Sequence, residues 1–350
     1  MRTILRSMGG RSRYARSAMA GLLLLGLAAG AAHAGDFTFG GKVFADISSL
    51  QQNNYKTDTS NRAWNGDLKR LYLDADYAFD PAWSVHLTTD VNWLRGQVHT
   101  TDVWVKHLYL QRKFAPGTTL RIGASDMPML ALTSQWYGYR YVDAIGSSMA
   151  KIDSAADWGV HFAGRLSPAF DVAVSVVTGG GYKEPHTGDR VDVEAYAAWH
   201  PVKQAVVALG GYDGQLGDED DATHTLRHTA RRLDLLAAWA DKVWRLGMRY
   251  SYGSNWANLY TVPSERVRNV STWASRQLTA QWSVFARYDY TWPNRLQDPS
   301  RRSRYADAGV EWRPQKWLRL ALVGKHTAVL RQGVPLATTN ELGVWSELSF

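Results

Sequence analysis

The sequence predicts an all-β fold: a transmembrane antiparallel β-barrel of about 16 strands. Three observations carry this reading. Short segments alternate apolar and polar residues with period two. Tight turn signals recur at intervals of about 35–40 residues, apart from one longer gap of about 50. The chain also closes on an alternating run, with Leu342, Val344, Ser346, Leu348 and Phe350 on one face and Glu341, Gly343, Trp345, Glu347 and Ser349 on the other. No later segment approaches the roughly 20 apolar residues that a spanning helix needs.

Residues 1–34 read as a secretory signal peptide. A leader carrying Arg2, Arg6, Arg11, Arg13 and Arg16 precedes the apolar stretch Ala18 to Leu27, and Ala32-His33-Ala34 supplies a small-x-small cleavage site. Residues 35–350 then form one barrel domain. The whole chain has 40 Lys+Arg against 32 Asp+Glu, a formal +8. Removing the leader takes away five arginines and no acid, leaving 35 bases against 32 acids. The basic balance therefore belongs mostly to the leader, and nucleic acid is not an expected partner. With no cysteine there is neither a disulfide scaffold nor a thiolate metal site. The 16 tryptophans suit aromatic belts at two membrane interfaces.

Seven turns divide the chain. They lie at Asp80-Pro81-Ala82, Ala115-Pro116-Gly117, Ser167-Pro168-Ala169, Pro201-Val202-Lys203, Asp241-Lys242-Val243, Thr279-Ala280-Gln281 and Pro314-Gln315-Lys316. Most precede an aromatic or large apolar residue, as at Trp83, Phe170, Trp244, Trp282 and Trp317. Each interval reads as a rising strand, an outer loop and a descending strand. Leu71, Leu73, Ala75, Tyr77 and Phe79 oppose Arg70, Tyr72, Asp74 and Asp76; Val191, Val193, Ala195, Ala197 and Trp199 oppose Asp192, Glu194, Tyr196 and His200. A soluble sandwich also alternates but would not collect Trp and Tyr at segment ends. Seven hairpin pairs plus a first and last strand close a ring of 16 around a water-filled lumen.

The gaps give the outer loops. Ser48–Asp67 reads as a long polar loop. Gly179-Gly180-Gly181-Tyr182-Lys183 lacks P-loop spacing and reads as flexible. Gly217-Asp218-Glu219-Asp220-Asp221, with His224 and His228, departs from the EF-hand pattern and reads as solvated, so no metal is expected. The third loop, Asp126 to Ala156, is the informative one. It carries Met127-Pro128-Met129-Leu130 and then Trp136-Tyr137-Gly138-Tyr139-Arg140-Tyr141. So apolar a loop is ill placed in water; folded back into the barrel it would bury its rings and narrow a pore.

Val105-Lys106-His107-Leu108-Tyr109-Leu110-Gln111-Arg112-Lys113-Phe114, followed by Leu120-Arg121-Ile122-Gly123 and Asp126-Met127-Pro128, resembles the fourth and fifth strands of the phosphate-selective porin (porin O/P) family. The specific motif covers about residues 104–166, and the hairpin layout matches over residues 35–350. The resemblance implies a trimeric channel of the bacterial outer membrane that is passive, free of cofactors and built for small hydrophilic solutes, with anions such as phosphate as candidates. It also implies outer-membrane lipid and the barrel-assembly machinery as partners, with Phe350 as the assembly signal. Arg121 and Arg165 on the wall, and Arg140 and Lys151 on the third loop, are the expected constriction bases, because guanidinium forks replace an anion's water. The inward acids slightly outnumber the inward bases, however, so no continuous anion ladder is legible. Trp136, Tyr137, Tyr139 and Tyr141 offer a second reading, an aromatic track for saccharides. A barrel enzyme would need a clustered nucleophile and base; Ser134, Ser147 and Ser148 specify none, and no Gly-x-Ser-x-Gly elbow appears. A gated transporter would need a plug and more strands, and a structural or adhesive barrel would show no conductance.

Overall fold

A computed structural model describes residues 35–93, 102–183, 185, 187–217, 228–256 and 264–350. The leader, and Asp218–Asp221 with His224 of the acidic loop, lie outside the described residues. Strands β1 (Asp36–Asn54), β2 (Thr59–Ala78), β3 (Trp83–Trp93), β4 (Asp102–Ala115) and β5 (Thr118–Asp126) are followed by helices α1 (Pro128–Tyr137) and α2 (Gly146–Met149). Then come β6 (Ala156–Ser167), β7 (Phe170–Gly179), β8 (Thr187–Trp199), β9 (Ala205–Gly214), β10 (Ala230–Ala240) and β11 (Trp244–Ser254). The last five are β12 (Arg266–Gln277), β13 (Trp282–Trp292), β14 (Arg301–Gln315), β15 (Leu318–Arg331) and β16 (Val334–Ser349).

Every strand pairs antiparallel with its sequence neighbours, and β1 pairs with β16 from Lys42↔Ser349 to Asn54↔Ala337, closing the barrel. The expected count of 16 holds, because each of the seven turns joins a hairpin. At four of them a side chain supports the turn: Asp80 accepts the Ala82 and Trp83 amides, Asp241 those of Val243 and Trp244, Thr279 those of Gln281 and Trp282, and Ser167 that of Ala169. The chain end joins the same ladder, with Phe350 and Gly41 exchanging both backbone hydrogen bonds at 3.0 and 3.1 Å.

The faces are inverted relative to a soluble protein. Ile122, Leu209, Leu322 and Leu342 point out and are more than half exposed, whereas Asp90, Asp192, Arg249 and Asn269 are buried. Trp199, Trp244, Trp282, Trp312 and Trp317 collect outward near the tight turns, where Trp282 and Trp312 stack at 5.9 Å. That is the belt arrangement the headgroup level favours. Among the described residues no helix is long and apolar enough to cross a membrane.

Two regions depart from the sequence reading. Ser48–Asp67 is not a loop. It is a tall hairpin whose turn spans only residues 55–58, with Asn54↔Thr59 through Ser48↔Asn65 in register. Its Gln and Asn residues resemble loop composition, yet the backbone satisfies itself by strand pairing up to Asn54↔Thr59. The glycine-rich turn after β7 is pinned, with Tyr182 Oη donating to Asp90 at 2.5 Å and the Tyr182 amide to Ala156 O at 3.0 Å.

Candidate functional site

The third loop is a structured segment seated on the buried, polar face of the wall. Met127 N–H closes its base on Ala155 O at 3.1 Å. Pro128 starts α1 where a missing N–H costs nothing. The helix has no side-chain N-cap of its own; instead Glu194 on β8 accepts the Met129 amide at 2.8 Å. At the other end Arg245 on β11 donates to the Gln135 and Trp136 carbonyls at 2.8 and 3.0 Å, and Arg319 on β15 to Gly138 O at 3.0 Å. Anion at the N-terminus and cations at the C-terminus is the arrangement a helix dipole favours. Gly138 ends the helix at φ 78°, a conformation that costs other residues about 1–2 kcal/mol.

Beyond α1 the aromatic run is spent on packing. Tyr137 meets Trp273 edge-on at 5.7 Å, and its hydroxyl accepts from Arg287 at 3.2 Å. The Tyr139 ring stacks on Phe285 at 4.3 Å, and Tyr141 donates to Glu311 at 2.7 Å beneath the Arg319 guanidinium. Burial pushes the Tyr137 and Tyr141 phenols well above the ordinary tyrosine range, so both stay protonated. Lys325 donates to Val142 O at 2.8 Å and pairs with Asp143 at 3.0 Å. Burial alone would raise the Asp143 carboxyl, but Lys325, then Lys69 and Arg287, hold it well below the usual carboxylate range. Arg232 donates to Ile152 O at 2.9 Å while pairing with Asp234 and Glu194, and Arg249 lies 3.5 Å from Asp153. The inward arginines of β10 to β15 therefore grip this segment as well as one another's acids.

The segment's hydrogen bonds and packing run mainly to β7–β15, with Met129 against Gly210 of β9, and Phe44 and Tyr72 of β1 and β2 join its apolar cluster; the rest of the β1–β5 side is left open. A cavity of about 590 Å³ lies there. One side is Lys42, Tyr72, Asp74, Asp76, His86, Thr88, Lys106, His107 and Asp126; the other is Leu130, Ser134, Gln135 and Arg140 of the segment. The wall side is one hydrogen-bonded strip: His86 bonds Asp76 at 2.7 Å and Thr88 at 2.8 Å, Thr88 donates to Asp74 at 2.6 Å, and His107 reaches Thr88 and Asp126. Lys106 joins Asp126 at 3.4 Å. Among the described residues neither Lys42 nor Arg140 has a carboxylate within ion-pair distance.

The predicted site residues are not gathered in one place. Arg140 lines the cavity. Arg121 sits on β5, its guanidinium 4.7 Å from the Tyr109 ring and bonded to Gln111 and Ser125. Lys151 is exposed, at φ 57°, beside a separate small cavity with Trp256. Arg165 is at the tight-turn end, paired with Asp171 at 3.1 Å. There it lines a further cavity of about 490 Å³ with Trp136, His200 and Arg245. Trp136 stacks on His200, whereas Tyr137, Tyr139 and Tyr141 are buried and offer no open track. Ser134 donates to Leu130 O, and Ser147 and Ser148 to Asp153.

Sequence parity missed two lysines. A bulge in β2 sets Lys69 beside Arg70, so consecutive bases reach the acids Asp46 and Asp90, each at 3.4 Å. A bulge in β4, between Thr88↔His107 and Thr89↔Val105, does the same for Lys106 next to His107. The signal was weakly legible as two adjacent bases inside an alternating run.

The architecture has known counterparts. The anion-selective porin from Comamonas acidovorans matches with a TM-score of 0.67, covering 91% of this chain and 100% of that chain at 11% identity. The fold is that of a 16-strand porin barrel. The outer-membrane channel DcaP of Acinetobacter baumannii matches at a TM-score of 0.64 and 12% identity, over 90% of this chain and 97% of that one. OmpF from Salmonella typhi, solved with daunomycin, matches at 0.63 and 9%, over 90% and 98%. No family model matches the chain, and no curated protein does.

Proposed function

We propose that this chain is an outer-membrane porin of a bacterium, passing small hydrophilic solutes by diffusion. In this reading the segment 127–155 lies in the lumen as the constriction, and the solute path is the cavity between it and β1–β5. The observation that carries it is the anchoring of α1 at both ends by wall charges, with most of the β1–β5 side left facing a cavity. A barrel whose interior is polar and whose loop covers only part of the wall keeps an aqueous path. The porin-barrel fold of the matched structures supports the same reading.

Among the lining charges Lys106 faces Asp126 and Arg319 faces Glu311 and Glu347, while the acids Asp74 and Asp76 on the β2 wall offset the bases Lys42 and Arg140. Selectivity is therefore weak, with a preference for small anions, phosphate among them, carried by Arg140 and Lys42, on opposite sides of the path, with Arg121 beside it. The packed tyrosines argue against a saccharide track. The family resemblance carries the homotrimer, export by the leader and Phe350 as the assembly signal; a trimer form is described for OmpT of Vibrio cholerae, another structural match.

The test is single-channel conductance in a planar bilayer under a salt gradient, with phosphate and then a malto-oligosaccharide added. Steady conductance with a small anion-directed reversal potential is expected. No conductance would refute the channel, and block by the sugar alone would return weight to the rings.

A further inference from the structure

The outward face is not uniformly lipid-like. At the end opposite the tight turns, the outer ends of β10, β12 and β14 present Arg231, Arg266, Arg268, Arg302 and Arg304 on the same face as the exposed Leu233 and Leu235. Register places them together: Arg231 and Arg266 both pair with Ser254, Arg268 with Tyr252 and Trp292, and Arg304 with Tyr290. Arg231 and Arg266 are thus two strands apart, about 10 Å, within reach of one headgroup. Among the described residues the only carboxylate paired with this group is Asp213, which Arg190 and Arg231 share. Arg268 lies over the Tyr252 ring at 5.6 Å, and its Nε has no hydrogen-bond partner among the described residues. At the tight-turn end tryptophans lead, with Arg112 and Arg276 over Trp83 and Trp244, as Arg302 and Arg304 lie over Trp292 and Tyr290 at this end.

Below the arginines the surface is hollow. A groove of about 810 Å³ runs over Val193, Ala195, Gly211, Leu233 and Tyr252, with Arg231 and Arg266 on its rim and Asp213 beside Arg231 as the one acid of the lining among the described residues. Gly211 keeps it open, since a Cβ there would have no neighbour nearer than the Arg232 carbonyl at 3.7 Å. A cationic rim above an apolar trough on a membrane-facing surface matches a ligand with a phosphate head and acyl tails.

We propose that this groove is a binding site for a phosphate-bearing acyl lipid of the outer leaflet, its phosphate held by Arg231, Arg266 and Arg268 and one acyl chain lying across Gly211. The orientation rests on the porin reading, which puts the tight turns in the periplasm; the occupant follows from the charge and shape of the groove.

The test is native mass spectrometry of the full chain folded in neutral detergent, titrated with phosphatidic acid and with phosphatidylcholine of the same chains. Phosphatidic acid should be retained far more tightly. An arginine near a membrane surface contributes about fivefold in affinity, so Arg231→Gln, Arg266→Gln and Arg268→Gln together should weaken it about a hundredfold. Arg276→Gln at the other end should not. Gly211→Leu, which fills the trough and leaves every arginine in place, should also weaken it. Equal retention of the two lipids, undiminished binding by the triple variant, or displacement by inorganic phosphate alone would overturn the lipid site. Conductance of the same preparations separates the two proposals: a wild-type barrel that holds phosphatidic acid but does not conduct would refute the channel and leave the lipid site standing.

Discussion

Arg287 is the sharpest place to test whether wall charges hold the constriction. Its guanidinium donates to Tyr137 Oη at 3.2 Å and to the Ala144 carbonyl, lies 5.1 Å from the Tyr137 ring and 5.0 Å from that of Tyr305, and pairs with Asp289. A hydrogen bond from a charged donor contributes about 1.5–3 kcal/mol, and a desolvated cation–π contact about 2. Arg287→Ala removes two such bonds to oxygen acceptors of the segment, and a weaker one to Met149 Sδ, and among the described residues leaves buried Asp289 with only the Ser271 hydroxyl as donor. These contributions overlap, so about 3 kcal/mol of local anchoring is a fair working loss, equivalent to about a hundredfold rise in the detached form of residues 139–149. Glu194, Arg245, Arg319 and Lys325 still hold the rest of the segment. The barrel should therefore assemble normally, while single-channel records turn noisy and protease cuts appear within 139–149. Arg287→Lys, which keeps the charge but loses the fork, should fall between. Quiet traces and full protease protection in Arg287→Ala would refute the idea that these contacts hold the loop.

Four further outcomes follow from the same contacts. Arg121→Ala with Arg140→Ala should lower anion preference without unfolding the barrel, and an unchanged reversal potential would remove both from the selectivity assignment. Gly138→Ala forces a Cβ into the positive-φ end of α1, 3.0 Å from the Arg245 guanidinium carbon, and should loosen the segment by about 1–2 kcal/mol, read as faster proteolysis there. Deleting Phe350 removes the amide and carbonyl that pair with Gly41, and should lower the yield of heat-modifiable barrel in the membrane. Because the Asp143 carboxyl titrates below its unfolded value of about 3.9, its contribution is complete above that pH and fades only as pH falls further. Segment protection should hold from neutral pH to about 4 and decline below it, and Asp143→Asn should remove part of that decline.

What the sequence made legible was set by period and punctuation. Alternation fixed which face of each strand carries Leu and Trp, and the seven turns fixed the strand count, because both are local properties of short windows. Composition misled at Ser48–Asp67, where polar residues stand in paired strands rather than a loop. Bulges misled more subtly. One extra residue at Lys69 or Lys106 changes which side chains reach the acids without altering the apolar pattern enough to notice. The fate of the inward arginines was out of reach altogether. Arg245 and Arg319 look like pore-lining charge on their strands, and only three-dimensional placement shows them spent on carbonyls at the end of α1.

That expenditure bears on selectivity. A guanidinium that donates to a helix C-terminus and to Glu311, as Arg319 does, has few donors left for a passing solute, and its field is offset by the carboxylates beside it. The bases able to act on a solute are those without such duties, and these two lie on opposite sides of the cavity: Arg140 on the segment and Lys42 on β1. Counting lumen-facing charge therefore overstates the field a solute meets. If anchoring and selectivity are divided in this way, charge reversal at Arg140 should move the reversal potential with little added noise, whereas Arg287→Ala should add noise with little shift in reversal potential. A variant series in which noise and selectivity always change together would show that the same arginines do both.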